Sequence, residues 1–190
     1  MIVDRVYGDS VEYGMFFVSE VHNMSIRALF PKAVIDTVPN YPDIIDYNRE
    51  KVIDKIKNFG PNETVELTYI GSLSNGHDRD IDLLLTIYEE ALRSYPNITC
   101  CIGGRCNDQA LENKFINLCR DFGDRFKYLG RTPRTRTVDL TERSHVGFFL
   151  IRPGTSYWVR CSPNKVYEYL ICGVVPVIRA DVDYSQKFAN

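Results

Sequence analysis

From residue 65 to residue 178 the chain repeats one rhythm: a short apolar run, a break at glycine or a polar residue, then a segment whose apolar residues recur at helical spacing. Val65–Ile70 (VELTYI) ends at Gly71, Ile98–Ile102 ends at Gly103-Gly104 and Arg125–Leu129 ends at Gly130. Val146–Ile151 and Val174–Ile178 complete five expected strands. Between them, Ile81, Leu84, Leu85, Tyr88 and Leu92 stand at i, i+3, i+4, i+7 and i+11, and predict an amphipathic helix. Leu111, Phe115, Leu118, Cys119 and Phe122 predict a second; shorter helices are expected near Thr135–Arg143 and over Ser162–Cys172. Strands that alternate with helices join in parallel through crossovers, so the expected fold class is α/β, a parallel sheet with helices on both faces. Runs such as VGFFLI and GVVPVI are apolar at consecutive positions, as burial of both sheet faces demands.

The front of the chain reads differently. Met15–Ser19 is an expected strand, Val21–Phe30 a short helix stopped by Pro31, and Ala33–Val38 a strand closed by Pro39-Asn40. Tyr41–Asn62 is polar, with one helix near Asn48–Phe59, and reads as a connector. The expected organisation is residues 1–62 as the remnant of an N-terminal domain plus connector, and 63–190 as a second domain. A length of 190 residues suits one domain and a piece of another.

Composition removes several classes. Apolar residues make up 44% and charged ones 25%, ordinary for a folded globular chain. The formal net charge is -2 with no long basic run, which speaks against nucleic acid as a partner. No apolar run reaches the roughly 18–20 residues of a membrane span, and the first ten residues lack the pattern of a secretory signal. The six cysteines include no CxxC pair, and read as free, mostly buried thiols in a reducing cytosol rather than as disulfides or a zinc site. No metal-ligand spacing is present. G-x-G-x-x-G, P-loop and G-x-S-x-G motifs are all missing.

In a parallel sheet, ligands bind beyond the carboxyl ends of the strands, where Gly71, Gly103, Gly104 and Gly130 fall. The most informative stretch there is Cys161–Ile178, CSPNKVYEYLICGVVPVI. Ser162 suits a helix N-cap and Pro163 the first helical position, so free N–H groups and a partial positive charge would face the strand ends and suit a diphosphate. Val166, Leu170 and Gly173 are expected to pack on the sheet. Lys165, Glu168 and Cys172 share another face, where Glu168 could accept hydrogen bonds from a sugar diol. The same spacing equally describes a surface Lys–Glu pair.

PNKVYEYLICGVVPVI resembles the donor-binding segment of GT-B glycosyltransferases of the family 4 type, in which a helix of the form P-x-K-x-x-E is followed by G-x-P-V-I. LTYIGSLS with Arg79 and the following helix, NITCCIGG, FKYLGRTPR, and MFFVSE with Val34–Asn40 resemble further segments of that family, in the family's order. The likeness covers roughly residues 14–184. It implies a Rossmann-like C-terminal donor domain that lacks its closing helices. Glu168 would hold the donor ribose, with Ser162, Asn164 and Lys165 at the diphosphate. Gly71, Ser72 and Arg131 would line the nucleotide-sugar site, and Arg79 would be the catalytic cation on the leaving diphosphate. Two positions depart from the pattern: Ser72 stands where the family usually has a second basic residue, and Arg160 where it has the first glutamate of E-x7-E. His77, Tyr157 and Trp158 are further residues near these loops, while His145 reads as a satisfied edge histidine.

The resemblance implies a hexosyltransferase-like enzyme that moves a sugar from a nucleoside diphosphate sugar to a hydroxyl acceptor, with retention, in glycan or polysaccharide biosynthesis. The donor is its substrate; no cofactor or metal is implied. A glycan or lipid-linked acceptor and an N-terminal domain would be its partners. The expected location is cytoplasmic, with membrane association of the full-length protein left open. A non-catalytic nucleotide-sugar or partner-binding module and a sugar-nucleotide epimerase are the alternatives. By itself the chain is expected to expose an apolar edge or helix face and to turn over little or no substrate.

Overall fold

Strand β4, Val65–Ile70, lies at the centre of a five-stranded all-parallel sheet of order β6-β5-β4-β7-β8. The computed structural model describes residues 2–7, 10–17, 28, 34–37, 41–43, 47–74, 79–152 and 164–179. Strand β5 is Ile98–Gly103, β6 Phe126–Tyr128, β7 Val146–Phe149 and β8 Val175–Ile178. Leu67 pairs with Cys100 on one side and Val146 on the other, so β4 is bonded along both edges. From β4 the chain steps outward through β5 to β6, then crosses back over to β7 and β8. The strand order therefore reverses between β4 and β7.

The helices form where periodicity and caps coincide. Helix α1 is Arg49–Asn58, α2 Ile81–Ser94, α3 Gln109–Phe122, α4 Arg134–Arg143 and α5 Asn164–Ile171. Asn48, Asp80 and Asp108 cap the first three, their side chains accepting from backbone N–H groups of the first turn. Helices α2 and α3 cover one face of the sheet: Ile81, Leu84, Tyr88, Leu111 and Phe115 pack against Leu67, Tyr69, Ile102, Phe126 and Phe148. On the other face Leu140 of α4 meets Ile70 and Cys101. Tyr169 of α5 lies over Gly147, whose missing side chain leaves the room; a methyl there would stand 2.6 Å from the ring. The Tyr169 hydroxyl donates to the Phe148 carbonyl at 3.2 Å. Helices on both faces of a parallel sheet are what the alternating pattern predicts.

Helix α1 docks on this body. Lys51 pairs with Asp139 at 2.6 Å and with the buried Glu142 at 3.2 Å, and the Asn48 N–H donates to Glu142 at 2.5 Å. The Lys55 ammonium donates to the carbonyls of Ser144 (2.6 Å) and Cys172 (2.8 Å), which lie at the ends of α4 and α5. Gly173, at φ +62°, brings the turn after α5 against Val52 and Ile56.

The front residues form a separate three-stranded sheet: β1 (Ile2–Tyr7) antiparallel to β2 (Ser10–Phe17), and β2 parallel to β3 (Val34–Thr37). Strand β1 is not anticipated from the sequence, although Gly8-Asp9 between two β-rich runs is a hairpin signal. Of the helix expected over Val21–Phe30, only Ala28 is described, and it is helical. Two other expectations need correction. Leu170 does not pack on the sheet: it is 44% exposed, and Tyr169 takes the inward position. The third strand of the main sheet is shorter than Arg125–Leu129, because a 3-10 turn over Gly123–Arg125 precedes it. Cys100, Cys101 and Cys172 are buried free thiols, and Cys106 and Cys119 are partly buried ones. Burial pushes Cys100, Cys101 and Cys172 up to about 12.

His145 is held as the sequence suggests, its Nδ1 accepting from the Glu66 N–H at 3.0 Å. Burial and Lys55 hold its pKa below 6.5, against the pull of Glu66 and Glu63. The unfolded chain therefore binds the proton more readily. The stability His145 contributes is present above about pH 6.5 and is lost on acidification through that value. Urea unfolding at pH 7.5 and 5.5 is expected to show that loss in the wild type and a smaller one in His145→Gln. Gly147→Ala is expected to destabilise by about 1–3 kcal/mol in the same assay, because the Tyr169 ring cannot yield without leaving its seat.

Candidate functional site

All five strands of the main sheet point their carboxyl ends to one edge, and the loops there are locked together by backbone bonds. The Gly71 N–H donates to Gly103 O at 2.9 Å, Leu73 N–H to Arg105 O at 3.0 Å, and Gly104 N–H to Gly130 O at 2.7 Å. Gly104 sits at φ +151° with the Gly71 carbonyl directly against it; a methyl on Gly104 would lie 1.6 Å from that oxygen. Tyr69 braces the same turn, its hydroxyl donating to the Ser72 carbonyl at 3.0 Å. Gly71 and the exposed Ser72 thus form a rigid lip beside the point where the strand order reverses. In open α/β sheets that reversal leaves a crevice for ligands.

Three arginines line the crevice. The Arg79 guanidinium lies 5.1 Å from the centroid of the Phe149 ring. Arg152, just past β7, donates through Nε to the Arg79 carbonyl at 3.0 Å and faces Asp80 (3.9 Å) and Asp82 (3.6 Å). Arg179, just past β8, faces Asp80 at 3.9 Å. Arg152 and Arg179 thus meet the carboxylates that open α2, and Lys114 also reaches Asp82 at 2.8 Å. Only Arg79 is singled out by the sequence. The signal for the others was their position: each arginine follows an apolar strand run, LIR and VIR, at the carboxyl end.

Helix α5 begins at the same edge. Asn164 and Lys165 lie half-buried in its first turn, and Glu168, one turn on, is 6% exposed. The pairing of Lys165 with Glu168 anticipated from spacing is present, Nζ to Oε2 at 3.0 Å. It is not a surface pair. Glu168 is buried, and its other oxygen accepts from Arg134 Nη1 at 2.5 Å. Burial pushes the Glu168 carboxyl up, and Lys165 and Arg134 outweigh it, leaving the pKa below its ordinary value. Cys172, placed on the same face from spacing, is likewise buried rather than displayed.

Arg134, the last residue of the FKYLGRTPR stretch, is not singled out by the sequence. Its guanidinium also donates to the Tyr47 hydroxyl at 3.2 Å and lies 6.0 Å from that ring's centroid. Arg131 is exposed in the loop after β6, apart from these described contacts, while Thr132 Oγ1 donates to Gly130 O at 3.1 Å. Ser162, together with His22, His77, Tyr157, Trp158, Arg160 and Cys161, lies outside the described residues.

No protein-family model matches the chain, and no curated protein does. Solved structures do. The pneumococcal O-GlcNAc transferase GtfA, in complex with UDP and GlcNAc, matches 93% of this chain with a TM-score of 0.60 at 17% identity. Anabaena HepE, in complex with UDP and glucose, matches 92% with a TM-score of 0.56 at 14% identity. AviGT4, a glycosyltransferase involved in avilamycin A biosynthesis, matches 90% with a TM-score of 0.55 at 16% identity. The fold is the Rossmann-like one of GT-B glycosyltransferases. The chain spans 32% of GtfA, 46% of HepE and 46% of AviGT4, under half of each.

At the opposite, amino edge of the sheet, an apolar groove of about 350 Å³ runs between α1 and the starts of β4, β7 and β8. Ile56, Phe59 and Val175, which line it, are 57%, 47% and 63% exposed. Among the described residues, no helix is long and apolar enough to cross a membrane.

The glycine contact at the ligand edge yields a test. Gly104→Ala must push the Gly71 carbonyl aside, and is expected to destabilise the chain by about 2–4 kcal/mol from overpacking and a positive-φ backbone. Thermal melting checks it, with Gly123→Ala, also at positive φ but with open space around it, as the control for backbone strain alone.

Proposed function

We propose that the chain is the donor-binding part of a glycosyltransferase resembling GT-B family 4. It would transfer a sugar from a nucleoside diphosphate sugar to a hydroxyl acceptor, with retention, in glycan or polysaccharide biosynthesis. The observation that carries the reading is the buried, ionised Glu168 at the same sheet edge as three arginines. A carboxylate held in its charged form can accept from both hydroxyls of a ribose. The arginines oppose the charge that develops on a leaving diphosphate, the term that most often dominates such catalysis.

In this reading Glu168 binds the ribose. Ser162, Asn164 and Lys165 attend the diphosphate at the start of α5. Gly71, Ser72 and Arg131 line the nucleotide-sugar site, and Arg79 is the catalytic cation. Ser72 leaves the usual second basic position empty, and Arg152 and Arg179 stand beside Arg79 as the chain's own replacements. The chemistry asks for no metal ion: positioning and fixed positive charge do the work. Residues 1–62 belong to an N-terminal domain and connector, residues 63–190 to the donor domain. The acceptor, a glycan or a lipid-linked chain, meets the N-terminal domain of a longer protein in the cytoplasm. The Ser72 departure favours one second reading, a non-catalytic module that binds a nucleotide sugar.

Calorimetric titration of UDP, GDP and ADP tests this. One of the three is expected to bind. Glu168→Ala is expected to weaken that binding by about ten- to a hundredfold, the worth of one or two charge-assisted hydrogen bonds. If none of the nucleotides binds the wild type, the donor-site reading is wrong. Binding without sugar transfer or hydrolysis, with the N-terminal region supplied, favours the module.

A further inference from the structure

Glu168 is buried, yet both carboxylate oxygens are already engaged: Oε1 accepts from Arg134 and Oε2 from Lys165. Lys165 belongs to the same helix, three residues earlier, and comes with the sequence pattern. Arg134 does not. It reaches across from the first residue of α4, and its second nitrogen donates to Tyr47, which precedes α1. Tyr47 is itself fixed in place. The next residue, Asn48, donates its N–H to the buried Glu142 and caps α1, and Lys51 and Lys55 fasten that helix to α4 and to the turn after α5. A chain of contacts therefore runs from the connector through Tyr47 and Arg134 to Glu168.

We propose that Arg134 is a positioning residue of the donor site, one that holds the Glu168 carboxylate turned to receive a sugar diol, with Tyr47 as its backstop. This rests on the reading of Glu168 as the ribose ligand. A carboxylate offers about four acceptor positions. Arg134 and Lys165 take one on each oxygen, which leaves one on each oxygen, the number a vicinal diol needs. A planar guanidinium held on its far side by a phenol fixes the carboxylate plane better than a flexible ammonium does. The groups that face the carboxylate are Lys165 and Tyr169 from α5, Cys172 from the turn after it, Arg134 from α4 and Tyr47 from the connector. Of these only Lys165 and Arg134 are positive, and both pull the carboxyl down against the burial that pushes it up. Without Arg134 the carboxyl titrates higher, and a protonated Glu168 no longer accepts two hydroxyl donors.

The experiment has two arms on the 190-residue chain. In the first, the Glu168 side-chain carboxyl is followed by carbon NMR through a pH titration of the nucleotide-free protein, its signal assigned with Glu168→Gln. The midpoint is expected to rise in Arg134→Ala and to return toward the wild type in Arg134→Lys. In the second arm, UDP is titrated into wild type, Arg134→Ala, Arg134→Lys and Tyr47→Phe at pH 8 and pH 5.5. Arg134→Ala is expected to bind about tenfold more weakly at pH 8, equivalent to about 1.4 kcal/mol. It should lose further affinity at pH 5.5 relative to the wild type, while Arg134→Lys keeps the wild-type pH ratio. Tyr47→Phe should bind more weakly at both pH values. The ionisation of UDP itself is common to every protein and cancels in the ratio. An unmoved carboxyl midpoint in Arg134→Ala, or UDP affinity with an unchanged pH ratio, overturns the role given to Arg134. Failure of the wild type to bind UDP overturns the uridine donor reading instead, and the NMR midpoints then decide the Arg134 contact by themselves.

Discussion

Strand β4 is hydrogen-bonded along both edges and covered on both faces, and the rest of the ligand edge depends on that double enclosure. A parallel strand so enclosed must be entered and left through loops at opposite ends of the sheet. Every turn that follows a strand is therefore gathered at the carboxyl edge. Because β5 and β7 lie on opposite sides of β4, the chain leaves in one direction and returns in the other, and the loops separate where that happens. The three arginines, the glycine lip and the start of α5 are all consequences of this one arrangement. None of them needs a dedicated element, since each residue merely follows the end of a strand or opens a helix.

Much of this was legible in the sequence because burial on both faces writes itself as uninterrupted apolar runs. Val65–Ile70 has the same limits in sequence and structure, and α2 begins at Ile81 as its periodicity requires. What escaped had weaker local signals. Strand β1 carries Asp4 and Arg5 at its centre, which interrupt the apolar run by which the strands of the main sheet are recognised. Leu170 and Tyr169 exchange roles because Gly147 opens a space on the sheet that accepts a ring, a fact held in another segment of the chain.

The site was readable to the same degree. The Lys165–Glu168 spacing could be seen, since both residues lie on one helix. The partner that changes its meaning could not, since Arg134 is 34 residues away and its contact is set by the packing of α4 beside α5. A surface ion pair contributes little, whereas a buried carboxylate with two cations is a fixed electrostatic feature of the fold. Arg152 and Arg179 were hidden for a related reason: each looks unremarkable beside its neighbours in sequence, and only the sheet order brings them to Asp80 with Arg79.

Lys55 serves the termini of two helices at once, its ammonium bonded to the carbonyls of Ser144 and Cys172. Both acceptors are main-chain atoms, so this fastening survives almost any side-chain change at positions 144 and 172. It does not survive separation of α1 from the sheet. An expression boundary placed at residue 63, where composition suggests a domain begins, would strip Glu142 of its cation and its N–H donor and leave two helix ends uncapped. A fragment meant to isolate the nucleotide edge should therefore start before Tyr47, because the connector is structurally a limb of the unit that it seems only to lead into.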